Sequence, residues 1–259
     1  MKKQQHKYRL KISKPKKEDY TLGGFSLVPK EVLQKDRDWT AYLPIKEFQD
    51  INNIEPYACV AFTVLNCVEI LIKRKYGEDV NYSDRFLAAV SGTKEGGNSP
   101  QTVCEFLRKV GVVPQELWPF NKSIDSFKKF YTPLPPKLYE LAKEFNEKWD
   151  FKHEYVDGKD IDDALLYSPL LISVYAWIKE GSLYVKPRGK KDNHATTYVR
   201  RTVDSRVVFD SYDADLKDVD LNALPMVAKR FWIKKKEVTS KFTSLIKLWT
   251  TLRNIFIRP

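Results

Sequence analysis

The chain has 259 residues, 42% of them hydrophobic and 13% aromatic, which is enough to fill a core and speaks against wholesale disorder. Its net charge of +11 is concentrated at the ends: residues 1–17 carry eight Lys/Arg and no acid, residues 229–259 carry nine Lys/Arg and one Glu, and the stretch between them is mildly acidic. This distribution argues against a basic nucleic-acid groove in the body of the protein and suits instead an anionic partner, such as nucleic acid, a virion component or an acidic protein, held through the termini.

No run reaches the roughly 18 apolar residues of a membrane span. The opening MKKQQHKYRLKISKPKK has no apolar stretch of the kind a secretory signal needs, so a cytoplasmic setting is expected. Cys59, Cys67 and Cys104 make no disulfide framework, and with three histidines they show none of the paired spacings of a zinc site. Neither a metal nor a cofactor is expected.

In chain order, residues 1–20 read as a basic tail, expected to be mobile. Residues 21–150 read as a mainly helical lobe. Its central element is 58-ACVAFTVLNCVEILIKRKY-76, free of Gly and Pro, entered through Pro56 and closed by Gly77. A shorter helix at 99–111 has Ser99 as cap, Pro100 in its first turn and Gly111 at its end, and another follows at 136–149. Residues 151–238 read as an antiparallel β lobe, with a short helix at 160–167 and strands at 170–178, 194–201, 206–212 and 229–238. Residues 239–259 read as an amphipathic segment, with Leu245, Leu248, Trp249, Leu252 and Phe256 on one side. Helices first and strands second predict an α+β fold of two lobes with a cleft between them.

Candidate chemistry follows from scarcity. Of the three histidines, His6 lies in the tail and His153 among polar, exposed-looking residues, whereas His194 opens a strand directly after a polar loop. A general base works best at such an element end, held yet reachable. Cys59 starts the central helix, where the helix dipole favours a thiolate. Asp210 ends the strand RVVFDSY, sixteen residues after His194. If the two strands form a hairpin, Asp210 can accept the His194 Nδ1 proton and leave Nε2 facing Cys59.

Several motifs, in order, resemble the papain family of cysteine peptidases: 59-CVAF-62 at the helix start, 96-GGNSPQTVCEFLRKVGVVPQELWPF-120, 160-DIDDALLYSPLLISVY-175, 193-NHA-195 and 210-DSY-212. The His and Asp fall within the roughly 130–150 residues after the nucleophile that is typical of papain-like enzymes. The resemblance covers about residues 38–235 and is to compact, divergent members carried by bacteria and phages, so transport in a phage particle is a second possible setting.

The resemblance implies a papain-like two-lobe fold and a thiol-dependent peptidase with Cys59 as nucleophile and His194 as base. It further implies that Asp210 stands where the family has Asn, and that a side-chain amide serves the oxyanion hole. For that amide Gln49 is preferred to Asn53, since residues 50–55 give it slack to fold back. Gly96 and Gly97 are expected to form a substrate-binding edge, Asn193 and Ala195 to flank the base, and Tyr212 to cover it. A protein or peptide substrate is implied. An inactive papain-like scaffold and an acyl transferase using the same triad are the alternatives.

Overall fold

The computed structural model describes residues 7–17, 19, 21 and 33–237; the segment 239–259 and its expected amphipathic helix lie outside the described residues. The central helix α1 spans Cys59–Tyr76. A run free of Gly and Pro lets it propagate, and Gly77 stops it in the left-handed conformation at φ 66°, where its N–H bonds the Lys73 carbonyl. Residues from Cys59 to Ile72 are buried almost without a break. An apolar surface that goes nearly all the way round places a helix inside a fold. Two shorter helices, α2 (Asp84–Val90) and α3 (Pro100–Val110), pack on one side of α1, and a β-sheet packs on the other.

Helix α3 begins as its sequence predicts, with the Ser99 side chain accepting from Thr102 N and Pro100 in the first turn. The four-residue α4 (Phe127–Phe130) and the longer α5 (Pro136–Lys148) complete the helical part before the sheet begins.

Among the described residues the sheet has eight strands: β1 (Trp149–Val156), β2 (Leu170–Val174), β3 (Ile178–Glu180), β4 (Leu183–Val185), β5 (His194–Arg201), β6 (Ser205–Phe209), β7 (Lys217–Asp220) and β8 (Ala228–Lys235). The short α6 (Ile161–Ala164) joins β1 to β2. Strand order is β1-β8-β2-β5-β6-β7-β4-β3, antiparallel except for the β4–β7 contact. Helices first and an antiparallel-rich sheet second give the expected α+β class.

The sheet holds its charges in an unexpected way. Lys229 and Arg230, part of the basic C-terminal run, are buried: Lys229 Nζ donates to Gln101 Oε1 at 2.6 Å and sits 3.6 Å from the Tyr155 ring centroid, and Arg230 pairs with Glu154. His153, expected to be exposed, is enclosed between Glu105 (3.0 Å from Nε2) and Lys229 (3.2 Å from Nδ1). Burial, then the nearby Lys229 cation, lowers its pKa to about 4, so it stays neutral near pH 7. Among the described residues, no helix is long and apolar enough to cross a membrane.

Candidate active site

Cys59 is the first residue of α1 and is only 2% exposed. His194 is the first residue of β5, and Asp210 follows the last residue of β6. These strands are antiparallel neighbours with Thr197 opposite Phe209, so the hairpin brings both residues to one end. Helix α1 packs against β5, which brings the helix start to the same place. Cys67 and Cys104, by contrast, lie deep in the core. Burial pushes the Cys67 thiol well up and the Cys104 thiol to about 12, which leaves both unreactive at ordinary pH.

His194 and Asp210 are fully buried and joined by a 2.6 Å hydrogen bond between Nε2 and Oδ1. This corrects the expected ring orientation. Nε2, not Nδ1, faces the carboxylate, and the Cys59 thiol also interacts with the ring. Burial disfavours a charged imidazole. The Asp210 carboxylate, followed by the Cys59 thiol, outweighs that penalty and raises the His194 pKa to about 9.

Asp210 has two further partners that the sequence did not reveal. Lys217, at the start of β7, places Nζ 2.6 Å from Oδ2, and Lys46 donates to the Asp210 backbone carbonyl. Against the cost of burial, His194 and then Lys217 hold the carboxyl well below the usual range. Around the His194 ring, Tyr212 lies 5.3 Å away between centroids, Trp177 5.8 Å and Tyr8 5.2 Å. Tyr212, expected as an aromatic cover, also donates its hydroxyl to Glu55 Oε2 at 2.6 Å.

Gln49 is fully buried, its backbone N–H bonded to the Ser211 carbonyl at 3.0 Å, next to Asp210 in the chain. Among the described residues, neither Oε1 nor Nε2 of its amide has a hydrogen-bond partner. An unpaired buried amide costs about 1–3 kcal/mol, so a side chain left in that state points to a role other than stability. Asn53, the competing candidate, is exposed, with a positive φ of 57°.

Other expected site residues fare differently. The Asn193 side chain accepts from Ala176 N at 2.9 Å, which fixes the loop ahead of the base. Ala195, expected to line the cleft, is packed in the hydrophobic core, because alternation along β5 turns it away from the face His194 presents.

Gly96 and Gly97 do border an extended segment, and that segment is the chain's own N-terminal stretch. The Arg9 carbonyl lies 3.8 Å from Cys59 Sγ, and Lys11 N donates to the Asn98 carbonyl at 3.2 Å. A Cβ on Gly97 would run into the Arg9 backbone, so the missing side chain permits this close approach. Tyr8 packs edge-on against both His194 and Tyr212, and Ser13 Oγ accepts from the Tyr155 hydroxyl at 3.1 Å. Residues 8–11 of the stretch expected as a mobile basic tail therefore lie over the candidate site. The signal in the sequence is a period of two: Tyr8, Leu10 and Ile12 are half-buried, whereas Lys7, Arg9 and Lys11 are exposed.

No family model matches the chain, and no curated protein sequence matches it. Solved structures do. Xylellain, a cysteine protease from Xylella fastidiosa, superposes with a TM-score of 0.62 at 19% identity, over 89% of this chain and 96% of its own. The bromelain protease from Ananas comosus gives 0.53 at 17% identity, over 74% of this chain and 96% of its own. A digestive procathepsin L 3 of Tenebrio molitor gives 0.52 at 13% identity, over 74% and 68%. These likenesses extend over most of the chain and agree with the element order, so the protein has the papain-like cysteine-peptidase fold.

Proposed function

We propose that the chain is a thiol-dependent peptidase acting through an acyl-enzyme on Cys59. The observation that carries this reading is the buried His194 ring, held at Nε2 by Asp210 at 2.6 Å and interacting with the Cys59 thiol. In the proposed reaction, His194 Nδ1 takes the Cys59 proton and the sulfur attacks a peptide carbonyl. The developing oxyanion receives hydrogen bonds from the Gln49 amide and the Cys59 backbone N–H. The imidazolium then protonates the leaving amine, and the neutral ring activates water to release the acyl group. Asp210 keeps Nδ1 aimed at the sulfur throughout.

The N-terminal segment adds a resting state to this proposal. With Arg9 beside the sulfur and Tyr8 over the imidazole, a peptide substrate and residues 8–11 compete for one place. An accompanying proposal assigns the exposed cations Lys7, Arg9, Lys11, Lys14, Lys16 and Lys17 to an anionic partner. Binding of that kind weakens steeply with salt.

The test is labelling by an epoxide or vinyl-sulfone thiol probe, together with turnover of a fluorogenic peptide. Both are expected to vanish in Cys59→Ala and to persist when Cys67 and Cys104 are replaced. Labelling that follows Cys67 or Cys104 instead would reject the assignment. Product analysis with an added amine separates hydrolysis from acyl transfer, which passes through the same intermediate.

A further inference from the structure

A carboxylate with no exposure to solvent needs positive charge close by, because leaving it unpaired in a low-dielectric interior costs far more than any one hydrogen bond returns. Asp210 is in that position at 0% exposure. His194 supplies a charge only while protonated, and in the proposed cycle it alternates between imidazole and imidazolium. Lys217 is different. Its side chain is 3% exposed, its Nζ lies 2.6 Å from Asp210 Oδ2, and against the cost of burial Asp210 raises its pKa, which favours the cation. The two carboxylate oxygens are thus divided, Oδ1 to the ring and Oδ2 to the ammonium, which fixes the plane of the group.

We propose that Lys217 is a positioning residue for the proposed reaction: the permanent countercharge that keeps the buried Asp210 carboxylate ionised and turned toward His194 through both halves of the cycle. This inference rests on the peptidase reading of Cys59, His194 and Asp210. The placement of Lys217 has a clear local origin. It begins β7, opposite Val208 on β6, so the register of these two strands delivers its side chain to the end of β6 where Asp210 sits. The Trp177 ring, 4.9 Å from Nζ, closes the other side. Burying a lysine at the start of a short strand has no use in packing alone, since an apolar residue fills the same space without desolvating a charge.

The other charged or titratable groups around the pair do not replace Lys217. Lys46 reaches the Asp210 backbone carbonyl rather than the carboxylate, and burial lowers its pKa to about 8. Asp213 also pairs with Lys217 but is 57% exposed, so water can take over its half of the contact. Tyr8 and Tyr212 are neutral phenols, their pKa values pushed up by burial, and Cys59 faces the opposite side of the ring. Glu55, Asp50 and Asp215 are acids and add negative charge to the neighbourhood. Lys217 is thus the side-chain cation that meets the carboxylate directly apart from His194, among the described residues.

The experiment compares wild type, Lys217→Met, Lys217→Arg, Asp210→Asn and the double variant Asp210→Asn/Lys217→Met in the full chain. Two readouts are taken: the Asp210 carboxyl titration by carbon-13 NMR and the acid limb of kcat/KM on a fluorogenic peptide. A close opposite charge shifts a carboxyl by about 1–3 units. In Lys217→Met both the titration and the acid limb are expected to move up by at least about one pH unit, tenfold in proton concentration. Lys217→Arg is expected to keep both near wild type. In the Asp210→Asn background, Lys217→Met is expected to leave the acid limb where it was.

An unmoved carboxyl titration in folded Lys217→Met overturns the proposal, as does an equal acid-limb shift in the Asp210→Asn background. If Lys217→Met does not fold, the double variant decides. A folded double variant supports a partnership with Asp210, and an unfolded one assigns Lys217 to the fold alone and overturns the proposal. Absence of thiol-dependent turnover in every form, wild type included, rejects the peptidase reading, while the carboxyl titration still decides the Lys217–Asp210 relation.

Discussion

Replacing Tyr8 with alanine should open the cleft while leaving Cys59, His194 and Asp210 themselves unchanged. Its ring makes two edge-on contacts, 5.2 Å from His194 and 5.1 Å from Tyr212 between centroids. Each aromatic pair of this kind contributes about 0.5–1.5 kcal/mol beyond area burial. Losing both weakens the closed state by about 1–3 kcal/mol, which multiplies the open population about 5- to 150-fold while the closed state dominates. Because substrate binds only the open form, kcat/KM on a small fluorogenic peptide rises by the same factor. A synthetic peptide of residues 7–17, added in trans, is expected to inhibit the variant at concentrations that leave the wild type unaffected. If Tyr8→Ala leaves kcat/KM unchanged while Cys59→Ala is inactive, residues 8–11 do not compete with substrate and the resting-state proposal fails. A mobile basic tail, as the sequence suggests for residues 1–20, predicts that unchanged value.

Three further outcomes follow. Gln49→Met should lower kcat by about 10²–10³-fold, the usual cost of one oxyanion donor. It should also leave thermal stability equal or higher, because it removes an unpaired buried amide; a matching loss of stability instead makes Gln49 a structural residue. His194→Ala should cost orders of magnitude in turnover with the fold kept by circular dichroism, and wild-type kcat/KM should fall above about pH 9 as the imidazolium loses its proton. For His153, whose pKa is lowered from 6.5 to about 4, the unfolded chain takes a proton that the folded chain refuses. Stability therefore falls as pH drops through that window, by on the order of 3 kcal/mol. His153→Gln should flatten the decline in denaturant melts, and an unchanged slope would place the proton elsewhere.

The parts of this protein that could be read in advance were those marked by local chemistry. Gly77 in the left-handed conformation sets the end of α1, and Ser99 accepting from Thr102 N with Pro100 in the first turn sets the start of α3. The hairpin placed His194 and Asp210 together because residues on antiparallel neighbours meet at a distance that the turn fixes. Other features depended on partners far away in the chain. Strand β1 alternates too imperfectly to declare itself and exists because β8 pairs along its whole length. Helix α2, seven residues long and capped by Ser83, is too short for periodicity to reveal. The orientation of the His194 ring is decided by which nitrogen finds Asp210, and no pattern of residue types carries that choice. Lys217 lies in a run, KDVD, that reads as a solvated edge until its first side chain is seen inside. The tail misled for the same reason: its positive charge dominates the composition, and the three apolar residues that alternate with it are few.

The direction in which residues 8–11 run governs how long they can remain in place. Tyr8 lies at His194, and the chain then passes Cys59 at Arg9 and reaches Asn98 at Lys11. In the proposed chemistry a scissile amine must depart on the imidazole side, where its proton comes from. Here the amine following the Arg9 carbonyl belongs to Leu10 and leads toward Asn98, away from the ring. The backbone is threaded backwards relative to a peptide that could be cut, so occupancy consumes nothing. In the proposed resting state, such a cover is one the enzyme does not cut, so its release leaves no covalent record.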